Sequence, residues 1–281
     1  MTTTTIAATQ NGLRPGIGLA FGGGVVYSMA GIGVARVLEE AHIPIAAISG
    51  TSGGALVGAA VAAGLRGWEL LQAAEEMDWK DIVRFAPGRM GLLDGERMVK
   101  FVERITGCRT FEDLKIPLTA VATDILRGRE IRFTSGPLGM AVQASCAIPG
   151  LFQPVKWEDL LLVDGGVSDN LPVAAVRDHR PALTVAVDVL TLSDTYQGRL
   201  RTGAHVVLKA YHTMVRRNVD AEERLADFIV MPNVSGLSVL NFGDTAELIQ
   251  RGEEATRPFI PRLRAMLDSR LAGADSLSCP L

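Results

Sequence analysis

The sequence has few aromatic residues and little net charge of either sign. Phe, Trp and Tyr make up 5% of its 281 residues, too few for the stacking surfaces that bind single-stranded nucleic acids. The formal net charge is −3, so no basic field is available to hold a polyanion. We therefore expect no nucleic-acid partner.

Cysteine clusters and long apolar runs are also absent. Cys108, Cys146 and Cys279 are far apart in sequence, so neither a disulfide framework nor a metal site is expected. No cofactor is predicted. Apolar runs are interrupted before the roughly 18 residues that a membrane span requires. The first residues lack the basic and apolar regions of a signal peptide, and we expect a cytoplasmic protein.

The chain alternates short apolar runs with segments of helical periodicity. Strands are predicted at 17–21, 45–48, 117–123, 160–163, 183–189 and 228–231, with an edge hairpin at 130–133. Helices are predicted at 29–41, 53–63, 68–77, 96–105, 205–225 and 244–267. This alternation indicates a mostly parallel sheet that is covered on both faces. We predict one α/β domain over residues 16–270, with a helical excursion near 64–110, a disordered N-terminal tail at 1–15 and a C-terminal tail at 271–281.

The sharpest local signal is the pentapeptide GTSGG, from Gly50 to Gly54. It matches G-x-S-x-G and lies between a predicted strand and a predicted helix. In that context the serine occupies a strained turn that presents its hydroxyl as a nucleophile. The helix N-terminus favours a developing oxyanion, with the Gly53 amide as one donor. Ser52 is therefore the predicted nucleophile, and the alternative is an ordinary helix N-cap.

A second glycine turn, Gly22-Gly23-Gly24, follows the first predicted strand. Backbone amides in such a turn can form an anion nest. A dinucleotide fingerprint would need glycine at position 27, which is Tyr27. The turn is better interpreted as an oxyanion loop for acyl transfer, and a simple tight turn is the alternative.

A carboxylate closes the run at 160–163, because Asp164 is followed by Gly165 and Gly166. Ligands of open parallel sheets bind at the carboxyl ends of the strands, so we expect Asp164 at the same edge as Ser52. The alternative is that Asp164 only caps the turn.

The histidines give poor support for a Ser–His–Asp triad. They are His42, His179, His205 and His212. Only His179 lies on a suitable predicted loop, and that loop leads into the strand at 183–189, at the sheet edge opposite Ser52. A Ser–Asp dyad needs no histidine, because the carboxylate itself acts as the base.

These segments resemble the patatin-like phospholipases, in particular the compact bacterial group. The resemblance runs from about residue 16 to the end. It rests on five blocks in order: residues 18–24 with 32–34, 50–54, 122–124, 144–150 and 164–173. It implies a three-layer α/β/α sandwich with a mostly parallel central sheet, and catalysis without a metal.

The resemblance also assigns roles to residues. Ser52 would be the nucleophile and Asp164 the base, with the oxyanion hole formed by the amides of the glycine turn. The remaining motif residues would support the site: Gly50, Gly54, Gly165, Gly166 and Asn170. The implied substrates are acyl esters of lipids, cleaved through an acyl-enzyme. Apart from the resemblance, the apolar segment 85–93 is a candidate for transient contact with a membrane surface, and the alternative is a loop that packs on its own domain.

Two positions depart from the family pattern. The glycine loop usually continues with a basic residue and a glycine, where this chain has Tyr27 and Ser28, and an arginine usually stands at Gln143. Loss of both cations predicts a preference for neutral esters, unless Tyr27 and Gln143 brace the loop instead. An acyltransferase or thioesterase on this fold, and a non-catalytic regulatory protein, are the alternative functions.

Overall fold

A computed structural model of the chain describes residues 13–88, 90–192 and 203–276. Its strands are β1 (Arg14–Phe21), β2 (Ile45–Thr51), β3 (Arg84–Phe85), β4 (Leu93–Asp94), β5 (Leu118–Asp124), β6 (Arg129–Phe133), β7 (Val155–Trp157), β8 (Leu160–Asp164), β9 (Pro181–Val187) and β10 (Phe228–Val230). Its helices are α1 (Ala30–Glu40), α2 (Gly53–Ala63), α3 (Gly67–Glu75), α4 (Trp79–Ile82), α5 (Glu96–Thr106), α6 (Leu138–Ser145), α7 (Val173–Arg177), α8 (Gly203–Glu223), α9 (Thr245–Thr256) and α10 (Ile260–Ser276).

The central sheet has a parallel half and an antiparallel half. Strands β10, β9, β1, β2 and β5 lie side by side in parallel. Strands β6 and β8 both run antiparallel to β5, and β7 runs antiparallel to β8. The mostly parallel prediction therefore holds for one side of the sheet only.

Strand β5 pairs with three strands, β2, β6 and β8, because β2 and β8 share one of its edges. β6 pairs along one edge of β5 from Ala120 to Asp124. On the other edge, Thr51 of β2 pairs with Val121, and Asp164 of β8 pairs with Ala122. Strands β2 and β8 therefore meet end to end, which brings the chain after Thr51 next to Asp164.

The sheet is covered on both faces, which confirms the three-layer prediction. Alternate residues of β1 point to opposite faces. Leu19 and Phe21 join a large core with residues of α1 and α2. Ala20 belongs to a separate cluster with Val173 of α7 and Val219 of α8.

Helix α2 is enclosed on all sides. Every residue from Gly53 to Ala63 is buried, as the small apolar composition of this segment predicted. Small side chains allow a helix to approach a sheet closely, so α2 lies directly under the strand that precedes it. The beginning of this helix is therefore fixed by the sheet.

Several boundaries differ from the sequence predictions. β1 begins at Arg14, and α10 continues to Ser276, so the folded domain is longer at both ends than 16–270. The helix predicted over 244–267 is two helices, because a 3-10 turn at Arg257–Phe259 contains a proline. Proline lacks the amide hydrogen that a continuous helix needs.

Candidate active site

Ser52 occupies a strained turn between β2 and α2. Its backbone has φ 54° and ψ −128°, a region that residues with a side chain rarely adopt and that is enriched at functional sites. The residue is buried, and its amide donates a 2.7 Å hydrogen bond to Ser145 Oγ. The Ser145 hydroxyl in turn donates to the carbonyl of Val121 on β5. Ser145, at the end of α6, therefore holds the strained turn against the sheet.

Close backbone contacts explain the glycines around Ser52. A Cβ on Gly54 would lie 2.4 Å from the carbonyl oxygen of Phe21, and a Cβ on Gly50 would lie 2.5 Å from that of Gly54. Neither distance is compatible with a side chain. The motif glycines thus allow the serine turn to pack against the glycine loop that follows β1.

Asp164 ends β8 and begins a short 3-10 turn. Its Oδ1 accepts a 2.8 Å hydrogen bond from the Gly166 amide, and its carbonyl accepts one of 3.0 Å from Thr123 Oγ1. A Cβ on Gly165 would lie 2.2 Å from the Val121 carbonyl oxygen. The main chain at Asp164 is therefore held against β5, and one oxygen of the carboxylate is held by the Gly166 amide.

Asp164 lies beside the serine turn, but on a strand of the other direction from the one we expected. The sequence predicted the carboxyl end of a strand parallel to the others. β8 instead runs antiparallel to β5 and reaches the serine turn from the opposite direction. The two residues meet because their strands share an edge of β5.

Burial has the largest effect on the pKa of the Asp164 carboxyl group. It raises the pKa of the carboxyl to about 6, while the Gly166 amide and the hydroxyls of Ser52 and Tyr211 lower this pKa. Asp164 Oδ2 is buried and has no hydrogen-bond partner among the described residues. The two hydroxyls therefore affect the carboxyl without completing a hydrogen bond to Oδ2. Such loose geometry is common in a catalytic pair before substrate binds.

Tyr211 of α8 is a residue of the site that the sequence did not reveal. Its hydroxyl lies 2.9 Å from the position of a Cβ on Gly166, and Asp164 Oδ1 lies 3.1 Å from the same point. Burial and the neighbouring Asp164 both raise the pKa of this phenol. The phenol therefore stays protonated, and its O–H can face the carboxylate. No local motif marks Tyr211, because it lies 47 residues after Asp164 on a separate helix.

The glycine loop is held by its own amides. Gly22 N donates to the Val187 carbonyl at 2.9 Å, and Gly23 N donates to the Asn170 carbonyl at 3.0 Å. The Asn170 side chain donates to the Gly23 carbonyl at 3.1 Å. Two of the predicted oxyanion donors, Gly22 and Gly23, are thus engaged within the protein, which narrows the candidates to Gly24 and Gly53. Neither of those two amides has an acceptor among the described residues.

Tyr27 and Ser28 lie in the 3-10 turn that follows the glycine loop. Tyr27 is 2% exposed, and its hydroxyl donates a 2.8 Å hydrogen bond to the Leu237 carbonyl. Ser28 Oγ donates to the Gly22 carbonyl at 3.3 Å. Tyr27 therefore does not face the solvent, where a charged head group would lie, and the side chain that binds the loop is that of Ser28. Gln143 is half-buried, and its side chain lies near Gly95.

None of the histidine side chains that the structure describes has a hydrogen bond to Ser52 or Asp164. His179 Nε2 lies 2.9 Å from Thr119 Oγ1, near the beginning of β5, whereas Ser52 lies beyond the end of β2. His42 is in the turn after α1, and His212 is half-buried on α8 with its pKa lowered to about 4, first by burial. The side chain of His205 lies outside the described residues. A dyad remains the interpretation that fits these positions.

An apolar pocket opens beside Ser52. Its volume is about 530 Å³, including the part that is open to solvent. Apart from Ser52, the main lining side chains are hydrophobic: Met29, Leu56, Met77, Trp79, Ile148 and Phe242. The rings of Trp79 and Phe242 are tilted against each other with centroids 5.1 Å apart. The helical excursion after residue 64 therefore forms one side of this pocket.

Cys146 also lines the pocket. Burial, more than the nearby Asp164, raises the pKa of its thiol far above the ordinary value. A thiol with a raised pKa carries almost no thiolate near neutral pH. Cys146 therefore acts as a small apolar side chain beside Ser52.

In the part of the chain that the structure describes, no three His, Cys, Asp or Glu side chains come together to hold a metal ion. No helix in residues 13–88, 90–192 and 203–276 has the length and apolar character needed to cross a membrane.

The fold and this arrangement of Ser52 and Asp164 agree with a family match. A model described as "Patatin-like phospholipase" matches residues 19–177, and the chain belongs to this family. The matched segment contains the glycine loop, the serine turn and the Asp164 turn. It excludes Tyr211 and the pocket residues after it.

The relatives are similar over part of their length. An uncharacterized NTE family protein of Mycobacterium tuberculosis is 39% identical over 178 residues, covering 62% of this chain and 49% of that protein. Lysophospholipase NTE1 of Chaetomium globosum is 30% identical over 184 residues, covering 63% of this chain and 12% of that protein. The chain spans about half the length of the mycobacterial relatives it matches.

One solved structure supports the fold. The crystal structure of VipD from Legionella pneumophila superposes with a TM-score of 0.58 at 16% identity. The alignment covers 94% of this chain and 70% of that chain. The likeness therefore extends well beyond the segment that the family model matches.

Proposed function

We propose that the protein hydrolyses carboxylic esters of lipids through a Ser52–Asp164 dyad. The observation that carries this proposal is a strained, buried serine beside a buried carboxylate at the base of an apolar pocket. An ester whose acyl chain fills this pocket would present its carbonyl carbon to Ser52. The lysophospholipase name of one relative supports a lipid substrate.

The proposed reaction has two steps. Asp164 accepts the Ser52 proton as Oγ attacks the carbonyl, and the amides of Gly24 and Gly53 stabilise the oxyanion. Collapse of the tetrahedral intermediate releases the alcohol, which takes the proton from Asp164 and leaves an acyl-Ser52 ester. Water then attacks this ester with Asp164 again as the base, and the fatty acid leaves.

Substrate hydrolysis tests this proposal. Purified protein is assayed with a monoacylglycerol and a lysophospholipid of equal chain length, and the released fatty acid is measured. We expect turnover that Ser52→Ala abolishes. Turnover that survives in folded Ser52→Ala would reject the dyad, and no turnover of any lipid or soluble ester would reject the hydrolase.

We also propose that the mouth of the pocket touches the lipid surface. Leu240 lines the pocket and is 56% exposed, and Phe85 and Leu92 of the neighbouring hairpin are 73% and 49% exposed. The Leu92 amide donates to the carbonyl of Leu151, which also lines the pocket. These apolar side chains would let a lipid leave its bilayer without crossing water.

A further inference from the structure

A second apolar cavity lies behind the pocket at Ser52. Its outline encloses about 300 Å³, most of which is narrow space between side chains or space open to solvent. Its lining comes from α1, α2, α3 and α5 and contains hydrophobic side chains throughout, among them Ala60, Leu70 and Ala74. Such a lining offers no partner to a polar group, so its ligand must be an apolar one.

The two cavities are separated by three shared side chains. Met29, Leu56 and Met77 line both the pocket at Ser52 and the second cavity. All three are buried. Methionine is unbranched and adapts its shape easily, so rotation of Met29 or Met77 can join the two spaces.

Small residues of two helices line the second cavity. Ala60 of α2 and Ala74 of α3 are 6% and 4% exposed. Protein interiors are usually packed to crystal density, because unfilled space costs stability. A larger side chain at either alanine would fill the space, so the small side chains preserve room for a ligand.

We propose that the second cavity is a distal subsite for long unbranched acyl chains. A short chain fills only the pocket at Ser52. The end of a longer chain displaces Met29 or Met77 and enters the space beside Ala60 and Ala74. This inference rests on the proposed function, since it assumes that the acyl group is held at Ser52.

Chain-length profiles test the subsite. Ala74→Leu fills the second cavity, and p-nitrophenyl butyrate and p-nitrophenyl palmitate are compared as substrates. Each methylene that is buried raises kcat/KM about fourfold. We expect Ala74→Leu to lower kcat/KM for palmitate at least about tenfold, the equivalent of losing two buried methylenes, and to leave butyrate within about twofold. Met77→Ala should increase the ratio of palmitate to butyrate turnover.

The controls separate packing defects from loss of the subsite. Ala175→Leu introduces the same side chain at a buried alanine of α7, which packs against the opposite face of the sheet. It should leave the palmitate-to-butyrate ratio unchanged. If Ala74→Leu does not fold, Ala60→Leu serves as the second filling variant. An unchanged ratio in a folded filling variant would overturn the subsite while the hydrolase stands.

Binding without catalysis separates the two proposals. The Ser52→Ala and Ser52→Ala/Ala74→Leu proteins are titrated with palmitate and decanoate, and displacement of a fluorescent fatty acid is measured. We expect Ala74→Leu to weaken palmitate binding selectively. That result together with no ester turnover in the wild type would reject the hydrolase and keep the subsite. Equal effects on both fatty acids would reject the subsite.

Discussion

The two sides of the candidate site are built in different ways. The catalytic side consists of Ser52, Asp164 and the glycine loop, held by backbone hydrogen bonds and by contacts that exclude a Cβ. The acyl side consists of flexible hydrophobic side chains such as Met77 and Leu240, from segments far apart in sequence. The catalytic side should tolerate few substitutions, whereas the acyl side can accept side chains of other sizes. Substitutions on the catalytic side should therefore change the rate of ester cleavage, and substitutions on the acyl side should change the preference for acyl-chain length.

The largest effect is expected on the catalytic side. Ser52→Ala and Asp164→Asn should each lower kcat/KM for p-nitrophenyl butyrate at least about a thousandfold, and the double variant should be no worse, because the residues act as one unit. His179→Ala should keep most of the activity. A loss in folded His179→Ala as large as that in Asp164→Asn would replace the dyad with a triad.

The ionised carboxylate of Asp164 should lower the free energy of unfolding. Its pKa is raised from 3.8 to about 6 by burial, so the folded protein loses stability as pH rises from about 4 to about 6, where the unfolded chain ionises first. Above this window Asp164→Asn should be more stable than the wild type by up to about 3 kcal/mol. Urea unfolding curves near pH 8 and near pH 4 measure the difference. An Asn variant that is destabilised equally at both pH values would contradict a buried charge.

Tyr211 should tune the base without being needed for acyl binding. Activity should fall about tenfold per pH unit below about pH 6, because protonated Asp164 cannot accept the serine proton. The Tyr211 hydroxyl lowers the pKa of Asp164, so Tyr211→Phe should shift the acid limb of the pH profile upward. The activity plateau and the palmitate-to-butyrate ratio should be retained. An acid limb that does not move would show that Tyr211 only packs there.

The smallest effect is expected at the mouth of the pocket. Phe85→Ser should lower hydrolysis of a lipid in vesicles a few-fold and leave p-nitrophenyl butyrate unchanged, because only the vesicle substrate needs a surface contact. Trp68→Ser is the matched control, because Trp68 is an equally exposed aromatic residue at the start of α3, beside the end of α1, and it should leave both substrates unchanged. Liposome flotation of the wild type at physiological salt should show weak binding. Tight and salt-resistant binding would contradict a transient contact.

The sequence predicted the catalytic side far better than the acyl side. The serine turn was predictable because the glycines of G-x-S-x-G between a strand and a helix mark a tight turn with no room for a Cβ. The glycines after Asp164 likewise marked a turn at the end of a strand. The direction of that strand was predicted wrongly, because an apolar run has the same pattern in a parallel and in an antiparallel strand.

The remaining features depend on contacts between distant segments. Ser145 binds the Ser52 amide across 93 positions, and Tyr211 reaches Asp164 from a separate helix. The amides of Gly22 and Gly23 bind the carbonyls of Val187 and Asn170, and these bonds could not be predicted without the positions of those two residues. The pocket lining combines Met77, Trp79 and Leu240, each of which looks like an ordinary core or surface residue in the sequence. No local pattern carries this information.

We expect Asp164 alone to activate Ser52, and fluorophosphonate labelling tests this activation most directly. The rate of labelling is followed by intact-mass spectrometry, and the modified residue is identified by peptide mapping in the wild type, Ser52→Ala, Asp164→Asn and His179→Ala. We expect an adduct on Ser52 that forms at similar rates in the wild type and His179→Ala, forms much more slowly in Asp164→Asn, and is absent from Ser52→Ala. An adduct on another residue, or labelling of Asp164→Asn at the wild-type rate, would contradict the dyad.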